Sequence, residues 1–104
     1  MDVSGKTAIV TGSAVGVGRA VALDLAGRGA NVVVNYSRSE AEARQTLADV
    51  EALGAKALLA RADVSQDDQV RDMVNETLGR FGAVDILVNN AGITTSSISM
   101  TWRV

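Results

Sequence analysis

The sequence predicts an α/β fold, a parallel sheet with helices on both faces, made of about four strands and three helices. Three observations lead there. Short β-rich runs alternate with helical stretches through brief connections, the pattern of parallel strands joined by right-handed crossovers. Glycines cluster where the first such run passes into the first helical stretch, in TGSAVGVG at residues 11–18. Residues 70–81 set apolar side chains along one helical face, which a sheet would cover.

Residues 6–11 form a short uninterrupted run ending in a turn, and read as a buried strand. Residues 19–26, rich in Ala and Leu, read as a helix that Gly27 or Gly29 ends. Residues 31–35, with Val32, Val33 and Val34 at their centre, are a second, β-branched strand. Ser39 with Glu42 three residues on reads as a capping box. The helix it opens carries Ala43, Leu47 and Val50 on one side and stops at Gly54. A third strand covers residues 56–61, and Ser65 with Asp68 starts a further helix in an acidic variant of the same cap. In that helix Val70, Met73, Val74, Thr77, Leu78 and Phe81 recur at helical spacing and read as core. Gly82 ends it, and residues 84–89 are the fourth strand. Beyond lie a Ser/Thr cluster and a stretch too short to form an element by itself. Residues 1–94 therefore read as the folded unit and residues 95–104 as an irregular tail.

A β-run, clustered glycines and helix formers make the layout of a phosphate-binding strand–turn–helix. Gly12 lets the chain leave the strand sharply, Gly16 lets backbone amides approach a ligand, and Gly18 lets the helix pack closely. A pyrophosphate would rest on the free amides at the helix start, where the dipole is positive. The spacing excludes a P-loop, since no Gly-Lys-Ser/Thr follows and no lysine lies near the turn. It also differs from G-x-G-x-x-G, running instead as G-x-x-x-G-x-G. A glycine turn alone also suits other α/β proteins.

Composition narrows the chemistry. At 104 residues the chain holds at most one small domain, and with aromatics at 3% its core must be built from Val, Ala, Leu and Ile. A net charge of −2 supplies no electrostatic reason for a nucleic acid or an anionic membrane as partner. No apolar run approaches a membrane span, Met1-Asp2 is not the basic start of a signal peptide, and cysteine is absent. A cytoplasmic location is expected on those grounds. Histidine is absent as well, which excludes from this sequence a Ser-His-Asp triad, His-ligated zinc and imidazole acid–base work. Proton transfer would fall to carboxylates, Lys, Tyr or a bound cofactor.

In doubly wound folds of the Rossmann type, the end of the second strand meets the adenosine ribose. An acid there selects the free 2′-hydroxyl of NAD, while Arg or small hydroxyl residues suit the 2′-phosphate of NADP. Here the position reads Asn35-Tyr36-Ser37-Arg38, with no carboxylate before Glu40. Arg38 can pair with a phosphate bidentately and Ser37 can donate to it, so NADP(H) is favoured over NAD(H). The other reading of Arg38 is a solvated loop charge.

TGSAVGVG, then Ala62-Asp63-Val64, then Asn89-Asn90-Ala91-Gly92, together resemble the short-chain dehydrogenase/reductase family. Residues 32–43 look most like its 3-ketoacyl-carrier-protein-reductase-like and sugar-alcohol-type members. The resemblance spans residues 6–94 and implies an N-terminal NADP(H)-binding Rossmann half-domain. It implies that Gly12, Ser13, Gly16, Val17 and Gly18 line the pyrophosphate and adenosine side. Asp63 and Val64 would flank the adenine, Asp63 accepting from its amino group. Asn89, Ala91 and Gly92 would border the cofactor beyond the fourth strand, while Asn90 fixes that strand against the glycine turn. The bland alternative for NNAG is a strand-end turn.

The resemblance fails where family chemistry resides, in a Tyr-x-x-x-Lys pair with an upstream serine. The one tyrosine is Tyr36, at the adenosine end, and neither Lys6 nor Lys56 stands four residues after it. Ser96, Ser97 and Ser99 lie too near the fourth strand to serve as the catalytic serine. No catalytic residue and no metal ligand is assigned. Four strands and three helices are half of a doubly wound fold, so the chain reads as truncated. Two alternatives to an oxidoreductase portion stay open: a non-catalytic nucleotide-binding module, and an inert truncated product. Marginal stability is expected, with self-association or pairing with a family subunit through an exposed fourth-strand edge.

Overall fold

The computed structural model describes residues 2–90 and 99–102, the last four by their backbone. In chain order the elements are β1 (Thr7–Val10), α1 (Gly16–Gly27), β2 (Asn31–Tyr36), α2 (Glu40–Ala52), β3 (Ala57–Arg61), α3 (Asp67–Phe81), β4 (Ile86–Asn89) and β5 (Ser99–Trp102). They build one sheet of order β3-β2-β1-β4-β5. The first four strands run parallel, with Ala8 beside Val32 and Ile86, and Val33 beside Leu58. The expected α/β class, with a parallel sheet of four strands and three helices, is the observed one.

Strand alternation divides the core in two. Ala8, Val10, Val32, Val34, Ile86 and Val88 meet Ala22, Leu25 and Ala26 of α1 and Ala43 and Val50 of α2 on one face. Ile9, Val33 and Ala60 meet Met73 of α3 on the other. The crossover from β3 over two strands to β4 carries α3 to the opposite side from α1 and α2. Small side chains fill most contacts, which lets the helices lie close to the sheet.

Four local expectations are corrected. Ser39 takes the N-cap position of α2, yet its side chain makes no cap hydrogen bond, so the Ser39–Glu42 box does not form. Its φ of −89° and ψ of 61° lie outside the extended geometry that aims a cap hydroxyl at the N2 and N3 amides. Ser65 does not cap α3 either: Gln66 holds that position, and the Ser65 hydroxyl donates to Asp63 Oδ1 at 2.7 Å. Lying one residue before the cap, the Ser65 side chain is turned to the Asp63 carboxylate and makes no bond to the helix amides. The α3 stripe is core in part: Met73 and Thr77 are buried and Val74 and Phe81 pack half-buried beside them, but Leu78 is 42% exposed. With Val70, Val74, Val84 and Leu87 it borders an open apolar trough over β4.

The fourth correction concerns the tail and the edge. Residues 99–102 are not irregular: they form β5, antiparallel on β4, with Asn89 opposite Ser99 and Ile86 opposite Trp102. The segment is no element by itself. It becomes one by completing hydrogen bonds that the outer edge of β4 would otherwise leave to water. An antiparallel partner suits a connection too short for a crossover helix. The outer edge of β4 is therefore paired, and a fourth-strand edge is not the surface this fold offers for association.

Candidate functional site

Strand order reverses at β1: the chain leaves it toward β2 on one side, while β4 lies on the other. The crevice at the carboxyl ends of the strands opens there, and the glycine turn of residues 11–16 sits in it. Gly12 and Gly16 both have φ of +60°, a left-handed conformation that a side chain would strain. A Cβ on Gly16 would meet nothing within 4 Å, so this corner of the backbone is open to a ligand. One on Gly18 would run into the carbonyl oxygen of Gly12 and come within 2.7 Å of Asn90 Nδ2, so α1 begins hard against the turn it follows.

Buried polar groups fix the turn. Asn35, 1% exposed in the middle of the sheet, accepts the Gly12 N–H on Oδ1 at 3.0 Å. Its Nδ2 donates to the carbonyls of Ala60 and Ala62, each at 3.2 Å, tying β2 to β3 and to the turn at once. Its main chain completes the clamp, accepting from the Ser13 N–H at 2.9 Å and donating to the Ser13 hydroxyl at 3.0 Å. From the other side, Asn90 donates through Nδ2 to the Gly12 carbonyl at 3.2 Å and through its N–H to Thr11 Oγ1 at 2.8 Å. The Thr46 hydroxyl on α2 donates to the Ala14 carbonyl at 2.8 Å and accepts from Arg19 at 3.0 Å. The turn is thus rigid before any ligand arrives.

The start of α1 differs from those of the other two helices in carrying no acid. Its N-cap, Val15, supplies no side-chain hydrogen bond, and its first turn carries no acid. The first turns of α2 and α3 carry Glu40 with Glu42 and Asp67 with Asp68, carboxylates that complement their dipoles internally. The amides of Gly12 and Ser13 are committed to Asn35, so the orphan N–H groups are those opening α1 itself.

From the turn a polar trough runs across the ends of β2 and β3. A recess of about 190 Å³ touches Gly12, Ser37, Asp63 and Val64. Through Ser37 and Asp63 it joins a larger hollow of about 610 Å³ lined also by Arg38, Arg61 and Gln69. Gln69 Oε1 accepts the Asp63 N–H at 2.8 Å. The Ser65 hydroxyl, and after it the Ser65 amide, hold the Asp63 carboxyl below the ordinary carboxylate range; desolvation opposes them, and the charge of Arg38 adds to the lowering. Asp63 is then ionised at neutral pH. A depressed folded pKa stabilises the fold above the unfolded value and ceases to do so as pH falls through the folded one. Ser65→Ala is expected to move the Asp63 titration upward toward its ordinary value, read by carboxyl-carbon NMR; an unmoved titration would show that Ser65 does not hold the charge.

The structure therefore gathers Gly12, Gly16, Val17 and Gly18 at the turn and Ser37, Arg38, Asp63 and Val64 along the trough. Ser13 does not line it: it is fully buried, its hydroxyl engaged with β2. Asn89 ends β4, where its Oδ1 accepts from the Thr11 hydroxyl at 3.5 Å. Ala91 and Gly92 lie outside the described residues. Sequence reasoning missed Asn35, Thr46, Arg61 and Gln69. An asparagine after three valines was the signal for Asn35, since only a satisfied polar group is tolerated in such a strand. Tyr36 is 7% exposed with its hydroxyl toward Glu40, at the carboxyl end of β2. Lys6 and Lys56 precede β1 and β3, at the opposite end of the sheet, so the topology keeps phenol and ammonium apart.

No helix among the described residues is long and apolar enough to cross a membrane. A family model described as short chain dehydrogenase matches residues 6–102. The chain is 48% identical over 94 residues to the short-chain dehydrogenase/reductase homolog YusS of Bacillus subtilis, covering 90% of this chain and 86% of that protein. It is 43% identical over 98 residues to the 3-oxoacyl-[acyl-carrier-protein] reductase FabG of Staphylococcus epidermidis, covering 94% of this chain but 40% of the reductase. Among solved structures, a short chain dehydrogenase from Burkholderia cenocepacia in complex with NADP superposes with a TM-score of 0.84 at 41% identity, over 93% of this chain and 40% of that one. The chain thus spans most of YusS and about two fifths of the other two. The glycine turn at the topological switch point, the clamp that holds it and these likenesses together place the chain in the short-chain dehydrogenase/reductase family.

Proposed function

We propose that the chain is the cofactor-binding portion of an NADP(H)-dependent oxidoreductase that interconverts ketones and secondary alcohols. The observation that carries this reading is the polar trough from Gly12 of the glycine turn to Arg38, with the acid-free start of α1 following that turn. The residues fit a dinucleotide. Amides at Gly16, Val17 and Gly18 would hold its pyrophosphate, and Asp63 with Val64 would face its adenine, the ionised carboxylate accepting from the exocyclic amine. Ser37 and Arg38 would take a 2′-phosphate at the end of β2, where residues 35–38 themselves carry no acid. Asn89, with Ala91 and Gly92 following, would border the far end of the cofactor. When bound, such a cofactor supplies or accepts a hydride.

A second reading, a nucleotide-binding module without catalysis of its own, is favoured by one observation: Tyr36 is buried in the sheet core, away from both lysines. Calorimetric titration tests the cofactor claim. NADPH is expected to bind at least about tenfold more tightly than NADH, a charge-assisted phosphate contact having that worth, and Arg38→Ala is expected to erase most of the difference. Equal affinity for the two, or none, overturns the reading. Carbonyl reduction by the chain alone would remove the non-catalytic alternative.

A further inference from the structure

We propose that Arg61, at the end of β3, is a second specificity-determining residue for the 2′-phosphate, acting beside Arg38. This rests on the NADP(H) reading above. It adds a residue that neither the glycine turn nor the end of β2 reveals.

Register makes the pairing. Tyr36 and Arg61 are Cα partners at the last step of the β2–β3 ladder, and Ser37 and Arg38 follow Tyr36 directly. Arg61 thus ends β3 beside Tyr36, Arg38 follows two residues beyond the end of β2, and both line the same hollow with Ser37, Asp63 and Gln69. Arg61 is exposed, and neither it nor Arg38 closes a salt bridge among the described residues.

Charge then decides what the hollow accepts. Its lining holds two guanidinium groups against the single carboxylate of Asp63. Arg38 shares the hollow with the opposite charge of Asp63. A hollow with Arg38 and Asp63 only would be neutral overall and a weak host for a dianion. Arg61 leaves it net positive, and the planar fork of a second guanidinium adds donors suited to phosphate oxygens. Gln69 fixes the Asp63 backbone, so the carboxylate stays at one margin of the hollow.

The test compares the unsubstituted chain, Arg61→Gln, Arg61→Lys and Arg38→Ala, each checked for an unchanged thermal midpoint. The probes are NADPH, NADH, adenosine 2′,5′-bisphosphate and AMP, titrated calorimetrically at two salt concentrations. Arg61→Gln is expected to weaken NADPH and the bisphosphate about tenfold while leaving NADH and AMP unchanged, with a shallower salt dependence for NADPH. Arg61→Lys is expected to recover part of the loss. If the unsubstituted chain prefers NADPH and Arg38→Ala removes that preference while Arg61→Gln does not, Arg61 is excluded and the NADP(H) reading survives. Loss of NADPH and NADH binding alike in Arg61→Gln also excludes a specificity role. If the unsubstituted chain shows no preference, both fall together.

Discussion

Asn35→Ala is expected to destabilise the fold by about 2–4 kcal/mol, from three side-chain hydrogen bonds lost in a buried site and partners left without replacements. Against the 5–15 kcal/mol typical of small domains, that is a large fraction of the whole. The loss should appear as a lower urea midpoint at unchanged slope. Dinucleotide binding should weaken in parallel, because the Gly12 amide and the carbonyls of Ala60 and Ala62 are held by this one amide group. Asn35→Asp separates the roles. It keeps an acceptor for Gly12 but sets a carboxylate oxygen where Nδ2 met two carbonyls, so burial and repulsion raise its folded pKa. Stability of that variant should then rise as pH falls through the folded pKa, opposite in sign to Asp63. A change below about 0.5 kcal/mol in Asn35→Ala would mean the clamp is not what holds the turn.

Gly18→Ala should be of similar size, about 1–3 kcal/mol or more, for an unrelated reason. The added methyl would overlap the Gly12 carbonyl oxygen and lie 2.9 Å from the Gly12 carbonyl carbon. Both are backbone, so no side chain can turn aside; α1 must move away from the turn. Binding at the helix start should fall with it, since the amides shift with the helix. Gly79→Ala is the matched control. Gly79 lies inside α3 with open space where its Cβ would be, so that substitution should raise stability by about 0.5–1 kcal/mol through helix propensity alone. Thermal midpoints moving in opposite directions for the two variants distinguish steric overlap from backbone entropy. A Gly18→Ala variant as stable as its parent would show that the turn yields.

Much of this architecture could be read from the letters. Val32-Val33-Val34 between turn residues can only be a strand buried on both sides, and the spacing of Met73, Val74, Thr77 and Phe81 can only be one face of a helix. Those are local periodicities. The octapeptide at residues 11–18 marked the tight turn for the same reason, since Gly12 and Gly16 supply backbone geometry that other residues resist. Caps were less legible. Ser39 had suitable chemistry but not the final dihedrals, and Ser65 falls one residue before the cap with its hydroxyl turned to Asp63.

What the sequence determined by itself was therefore the order and kind of the elements, with the glycine turn among them, because each depends on neighbours a few residues away. What only the tertiary structure decided was which distant residues meet. Asn35 reaches across to Gly12 and Ala62, Arg61 comes to line one hollow with Arg38, and residues 99–102 gain a strand's geometry by adding to β4. Strand register and the unfilled hydrogen bonds of a sheet edge belong to pairs of segments, and no single segment carries them.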